Sequence, residues 1–211
     1  ITTSARPEQV KAIFGHTIDT GLQHGTVTIM RDKVGYEVTT YRIDGEYEDG
    51  RHPKEVEFTS NLLEDLKRRD FTINAMAYNP KEGLVDAFEG IQDLKEKRIR
   101  CVGNALERFT EDALRILRAI RFSAQLGFSI EESTWEAIKV IAPNLIHVSK
   151  ERIQVELTKL LLSNHPDEIR KVFDRELDTR ICADFPKINP AQIAIDPGLP
   201  KEKHMRWAAL L

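Results

Sequence analysis

Glu111-Asp112-Ala113-Leu114-Arg115-Ile116-Leu117-Arg118-Ala119-Ile120-Arg121-Phe122 is the stretch on which the fold turns. Leu114, Leu117 and Ile120 recur at helical spacing and mark one apolar face. Asp112, Arg115, Arg118 and Arg121 are three residues apart, which makes each a neighbour of the next on one ridge of a helix. The spacing predicts a single helix over 111–126. Outward from it, residues 107–163 keep helical periods with few glycines and no strand pattern. Further helices are expected over 131–141 and 149–162, the latter with Ser149 as its capping residue. Prolines at 186, 190, 197 and 200 mark irregular chain before an apolar helix at 207–211.

Upstream the pattern is different. Pro7 suits the first turn of a helix running to Phe14, closed by Gly15. Val27 and Ile29 alternate with threonines as in a half-buried strand, Asp32-Lys33 makes a turn, and 35–41 returns as a second strand. Residues 42–55, polar with two glycines and a proline, read as a mobile loop. Two short helical pieces are expected within 61–76 and a short strand over 84–88. An α+β unit is thus followed by an all-helical one.

Composition narrows the class. Hydrophobic residues make up 41% and charged residues 31%, an ordinary globular balance. No apolar run approaches the roughly 18 residues that cross a bilayer, and no basic-then-apolar leader opens the chain, so a cytoplasmic protein is expected. The opening Ile1 suggests that the true N-terminus lies upstream. Cys101 and Cys182 form no CxxC pattern and fit a reduced setting. The six histidines have no metal-ligand spacing, which argues against zinc. Net charge is −3, yet residues 98–121 hold six arginines against Glu107, Glu111 and Asp112, a patch suited to phosphates.

Three constellations offer chemistry. Asp112 and Arg115 suit the Watson–Crick edge of cytosine or adenine, where an amino donor adjoins a ring-nitrogen acceptor. A carboxylate accepts from the amino group and a guanidinium donates to the ring nitrogen. Uracil and guanine reverse that order and are rejected. Arg118 and Arg121 are placed for triphosphate or for orienting the pair. The competing reading is an amphipathic surface helix with i,i+3 ion pairs. In the second constellation, Arg69 suits triphosphate oxygens, Asp70 a ribose hydroxyl, and Asn74 a second sugar or backbone contact; its alternative is a helix junction with solvated charges. The third is Glu37, a strand carboxylate that gains meaning only beside other acids. Asp44, Glu46, Glu48 and Asp49 lie in the polar loop instead.

Taken in order, several blocks resemble class II CCA-adding enzymes and the related bacterial poly(A) polymerases. They are Ile1-Thr2-Thr3-Ser4-Ala5-Arg6-Pro7, Tyr36-Glu37-Val38-Thr39-Thr40-Tyr41-Arg42, Arg68-Arg69-Asp70-Phe71-Thr72-Ile73-Asn74-Ala75-Met76-Ala77, the 111–122 stretch, and Glu151-Arg152-Ile153 with Glu156-Leu157. The resemblance implies a DNA polymerase β-like nucleotidyltransferase head with a mixed or antiparallel sheet (1–104), a helical neck that selects the base (105–163), and the start of a helical body (164–211). It implies CTP and ATP as substrates, magnesium as cofactor and the tRNA 3′ end as acceptor. Asp112 and Arg115 match the base-selecting pair; Arg69, Arg118 and Arg121 match nucleotide-binding arginines; Glu37 matches a third carboxylate. The family's two principal metal-binding aspartates precede the Ile-x-Thr block and are absent from these 211 residues, so the chain alone is expected to be inactive. An A-only enzyme, a poly(A) polymerase and a non-catalytic nucleotide-binding remnant are the other readings. The loop at 42–55 is a candidate for the switch from C to A.

Overall fold

The structure, a computed structural model, describes residues 1–45, 56–174, 177–181 and 188–211. These form two compact units that adjoin in sequence between Arg69 and Asp70.

In the first unit, Thr26–Arg31 and Val34–Thr40 pair antiparallel, Thr17–Gly21 flanks the former, and the short Thr2–Thr3 runs parallel to the latter. The sheet is therefore mixed, in line with the expected head. Asp32 and Lys33 both take left-handed φ (52° and 64°), the geometry of a tight hairpin whose twist suits its strands. Period-2 alternation sends Ile29 and Val38 to one face, where Val10 of the helix Pro7–Ile13 covers them. That helix starts with Pro7; the Arg6 N–H donates to Gln9 Oε1 (2.8 Å) and the Arg6 carbonyl accepts from the Gln9 N–H (2.9 Å). Gly25 cannot be replaced freely. Its φ is +77°, and an added Cβ would lie 2.6 Å from the Phe58 ring.

Residues 42–44, expected to open a polar loop, are a strand instead. Arg42–Asp44 pairs antiparallel with Val56–Phe58; residues 46–55, with Glu46, Glu48 and Asp49, lie outside the described residues.

The second unit starts with the 3₁₀ turn Thr72–Asn74 and a hairpin of Ala77–Asn79 with Gly83–Val85. The strand expected to reach residue 88 stops at Val85 because Asp86 accepts from the Gly90 and Ile91 N–H groups (2.7 and 2.8 Å), capping the helix Gly90–Lys95. The helices Ala105–Glu111, Leu114–Leu126, Glu132–Ile141 and Lys150–Leu161 follow. Phe71, Ile99, Phe109, Ile116, Ile120, Leu145 and Leu161 are fully buried in one core. Phe71, Ile99 and Cys101 belong to it, which is why residues 70–104 pack with the helical region.

Two local expectations need correction. The 111–126 helix is two helices, broken where Asp112 adopts an extended backbone (φ −150°, ψ 102°). There its Oδ1 accepts from the Leu114 N–H (3.1 Å), so the carboxylate caps the second helix instead of riding on it. Ser149 occupies the N-cap position of Lys150–Leu161 but its hydroxyl makes no cap hydrogen bond.

Asp93 anchors the start of this unit. It is fully buried and accepts from the Thr72 hydroxyl (2.6 Å), Arg98 Nε (2.7 Å) and Arg100 Nε (2.8 Å). Burial pushes its carboxyl up, but these donors together outweigh burial and hold it below the ordinary value of 3.8. A depressed folded-state value gives stability that is present above the unfolded value and is lost as pH falls through the folded one. Unfolding midpoints in denaturant should therefore drop as pH is lowered below about 4. Asp93→Asn should be less stable at pH 7 and lose less of its remaining stability on acidification; parallel pH profiles for the two proteins would contradict this.

At the other end, Arg206 is fully buried and donates to the carbonyls of Asp196, Pro197, Leu199 and Pro200, shaping the proline-rich chain around it.

Candidate functional site

Each unit brings together part of the residues singled out in the sequence. In the first, Arg69 follows the helix Leu62–Lys67, and its Nη2 donates to Asp65 Oδ2 (3.0 Å). Glu37 is exposed on Val34–Thr40 opposite Thr28. Among the described residues no three His, Cys, Asp or Glu side chains gather so as to hold a metal ion. Glu37 belongs to no such group.

In the second unit, Asp70 is buried and shared. Its Oδ1 accepts from its neighbour's Phe71 N–H (2.9 Å) and from Asn74 Nδ2 (3.3 Å); its Oδ2 accepts from Arg118 Nε and Nη2 (2.8 and 2.6 Å). Asp70, Asn74 and Arg118 thus form one cluster across 48 residues of sequence. Phe122 stacks edge-on to Phe71 (5.7 Å) and carries the Arg121 guanidinium 3.9 Å above its ring. Arg121 itself is buried and donates to Glu156 Oε2 (2.5 Å) and Gln125 Oε1 (2.6 Å).

Asp112 and Arg115 do not share a helical ridge, because the chain is extended at Asp112. Asp112 Oδ2 instead accepts from Arg152 Nη2 (2.6 Å). Arg115, nearly buried, donates to Glu111 Oε2 (2.6 Å) and to the Arg108 carbonyl (3.1 Å), while Glu111 also takes Arg108. Each carboxylate oxygen has two acceptor sites, so Asp112 keeps acceptor capacity beyond Leu114 N–H and Arg152.

The arginine patch over 98–121 dissolves on folding. Arg98 and Arg100 pair with Asp93, Arg108 and Arg115 with Glu111, Arg118 with Asp70 and Arg121 with Glu156. Three of those acids lie outside the window from which the charge excess was counted. Sequence reasoning quoted Arg152 and Glu156 within resembling blocks but gave neither a partner. One turn apart on Lys150–Leu161, they carry charges opposite to those of Asp112 and Arg121, and that complementarity of charge was the available signal.

Cys101 adds no chemistry. It is buried, and burial pushes its thiol up to about 12, which keeps it protonated at neutral pH. Cys182 lies outside the described residues.

Two family models match the chain: Poly A polymerase head domain over residues 1–100, and Probable RNA and SrmB-binding site of polymerase A over residues 127–176. The CCA-adding enzyme of Oceanobacillus iheyensis is 53% identical over 182 residues, 86% of this chain. The chain belongs to the family of CCA-adding enzymes and poly(A) polymerases. It spans a little under half of that relative, 46% of its length. A crystal structure of the Bacillus stearothermophilus CCA-adding enzyme in complex with CTP superposes with a TM-score of 0.78 at 42% identity, covering 85% of this chain and 44% of that one. The Thermotoga maritima CCA-adding enzyme complexed with tRNA superposes at 0.68 with 30% identity, over 84% and 40%. These matches carry the nucleotidyltransferase head fold, with its mixed sheet followed by helices, over to this chain. No helix among the described residues is long and apolar enough to cross a membrane.

Proposed function

We propose that the protein carrying this chain adds C, C and A, from CTP and ATP, to the 3′ end of tRNA without a nucleic-acid template. The observation that carries the reading is the fixed carboxylate of Asp112, held by the Leu114 N–H and Arg152 at the head of an arginine-bearing helix. A carboxylate so held presents an acceptor to the amino group on the edge that C and A share. The reaction is attack of the RNA 3′-hydroxyl on the α-phosphate. A phosphodiester bond forms, the bond to pyrophosphate breaks, and the hydroxyl proton passes to solvent.

Other roles follow from exposure and partners. Arg69 and Arg118, each about a third exposed (32% and 33%), meet triphosphate oxygens. Asp70 and Asn74 meet the ribose. Arg121, buried against Glu156, holds the helices together. The division into head 1–104, neck 105–163 and body 164–211 is supported by a head-domain match that ends at residue 100. A cytoplasmic setting, where tRNA is processed, goes with the same reading.

Enzymes of this kind generally use a divalent metal. Glu37 and the other acids described here do not fit a two-magnesium centre, and no step is derived through one. The full-length protein should incorporate CTP and then ATP into tRNA lacking its CCA end, and the 211-residue chain alone should incorporate neither. Incorporation by the chain alone would overturn the view that it lacks the metal-holding acids. Because C and A offer the same edge, an A-only enzyme is the second reading; competing CTP against ATP on one primer separates the two.

A further inference from the structure

Arg118 is tied to Asp70 through a single oxygen. Its Nε and Nη2 both donate to Oδ2 (2.8 and 2.6 Å), while Oδ1 accepts from the Phe71 N–H and Asn74 Nδ2 (2.9 and 3.3 Å). Two parallel bonds to two oxygens hold a guanidinium in the plane of a carboxylate. A fork centred on one oxygen can pivot about that atom. Neither bond uses the remaining nitrogen, Nη1, and the side chain is 33% exposed. The direction in which Nη1 faces therefore depends on a second restraint.

That restraint is aromatic. On the helix Leu114–Leu126, Phe122 lies one turn beyond Arg118 and on the same face. Its ring centroid is 5.6 Å from the Arg118 guanidinium carbon, within cation–π reach. The ring is held in turn from two sides. Phe71, fully buried, meets it edge-on at 5.7 Å with 81° between the planes, and the Arg121 guanidinium lies 3.9 Å from its centroid. Arg121 is itself anchored by Glu156. Phe71 follows Asp70 directly, so the neighbours Asp70 and Phe71 grip Arg118 and Phe122 at two points, acid on guanidinium and ring on ring. The second contact removes the pivot that the first allows.

We infer that Phe122 is a positioning residue for nucleoside triphosphate binding: its ring fixes the direction in which Arg118 presents Nη1 to the phosphates. This rests on the triphosphate role proposed above for Arg118. A merely structural Phe122 would act whether or not Arg118 is present. A positioning Phe122 acts only through the guanidinium.

The test uses the full-length protein, with CTP binding measured by calorimetry alongside steady-state incorporation. Phe122→Leu keeps an apolar side chain and loses the ring. It should weaken CTP about threefold to fivefold, the size of one cation–π contact at a partly exposed site, with KM rising and kcat nearly constant. Phe122→Tyr, which keeps a ring, should bind CTP as the parent does. In an Arg118→Gln background, where the amide can still donate to Asp70, Phe122→Leu should weaken CTP no further. The same loss in that background overturns the inference. So does unchanged affinity in Phe122→Leu, or a loss in Phe122→Tyr as large as in Phe122→Leu. Arg118→Gln alone separates the underlying reading: unchanged CTP binding in that variant means the triphosphate role itself fails. Loss through Arg118→Gln with none through Phe122→Leu means that only the positioning role fails. Should Phe122→Leu not fold, pentafluorophenylalanine at position 122 decides, because it keeps the shape of the ring and removes its negative face. A threefold to fivefold loss of CTP affinity, about that of one cation–π contact, then supports the inference, and unchanged affinity overturns it.

Discussion

In the full-length protein, Asp112→Ala is expected to lower the preference for CTP and ATP over UTP and GTP by about one to two orders of magnitude, from the loss of a charge-assisted hydrogen bond to the base amino group. Two effects add. The correct bases lose their acceptor, and the wrong bases no longer place a carbonyl oxygen against a carboxylate. The measurement is kcat/KM for each of the four triphosphates on a tRNA primer lacking its CCA end. Selectivity equal to that of the parent protein would sink the base-edge reading. The substitution carries a structural side effect, because Asp112 also caps Leu114–Leu126. Losing that cap costs about 1 kcal/mol and lowers stability without favouring one base over another. Asp112→Ser separates the two, since a hydroxyl still caps but cannot supply the carboxylate. It should recover much of the stability and little of the selectivity. Arg152→Met leaves the carboxylate in place without the guanidinium that aims it, and its selectivity should fall between that of the parent protein and that of Asp112→Ala.

How far this arrangement was legible in the sequence differs residue by residue. Alternation at Val27 and Ile29, the Asp32-Lys33 turn and the 3.6-residue spacing of Leu114, Leu117 and Ile120 are local patterns, and the strands and helices they indicate are present. The break at Asp112 was hidden because a three-residue spacing runs through it unchanged. Only the competition of its carboxylate for the Leu114 N–H ends one helix and caps the next. The pairings were hidden for a different reason. Arg118 with Asp70, Arg121 with Glu156 and Arg152 with Asp112 join residues 48, 35 and 40 positions apart. A charge count taken over a window of two dozen residues sees three surplus arginines where the fold has matched pairs. Of the three arginines spaced along 111–122, Arg121 is thus the least exposed, while Arg152, quoted in the sequence only within a block, has Asp112 as its partner.

That matching leads to the largest expected effect on stability. Glu156→Ala strands the Arg121 guanidinium in the core between Leu114–Leu126 and Lys150–Leu161, with Gln125 and the Phe122 ring as its remaining neighbours. Lys159, 3.6 Å from Glu156, is half exposed and can turn to solvent; Arg121 cannot. Removing one partner of a buried pair costs about 3–5 kcal/mol, most of it the uncompensated charge rather than the lost bond. The melting temperature should fall accordingly. A double variant, Arg121→Met with Glu156→Leu, removes both charges and fills the space with apolar atoms, and it should recover most of that loss. If the single variant is as stable as the parent, the pair does not hold these helices. If the double variant stays as unstable as the single, the loss comes from packing at Glu156 and not from the stranded charge. The same pair of variants bears on function. Arg121→Met with Glu156→Leu should still discriminate among the four triphosphates, because Asp112, Arg115 and Arg152 are untouched. A stable double variant that loses selectivity would assign Arg121 to the ligand after all.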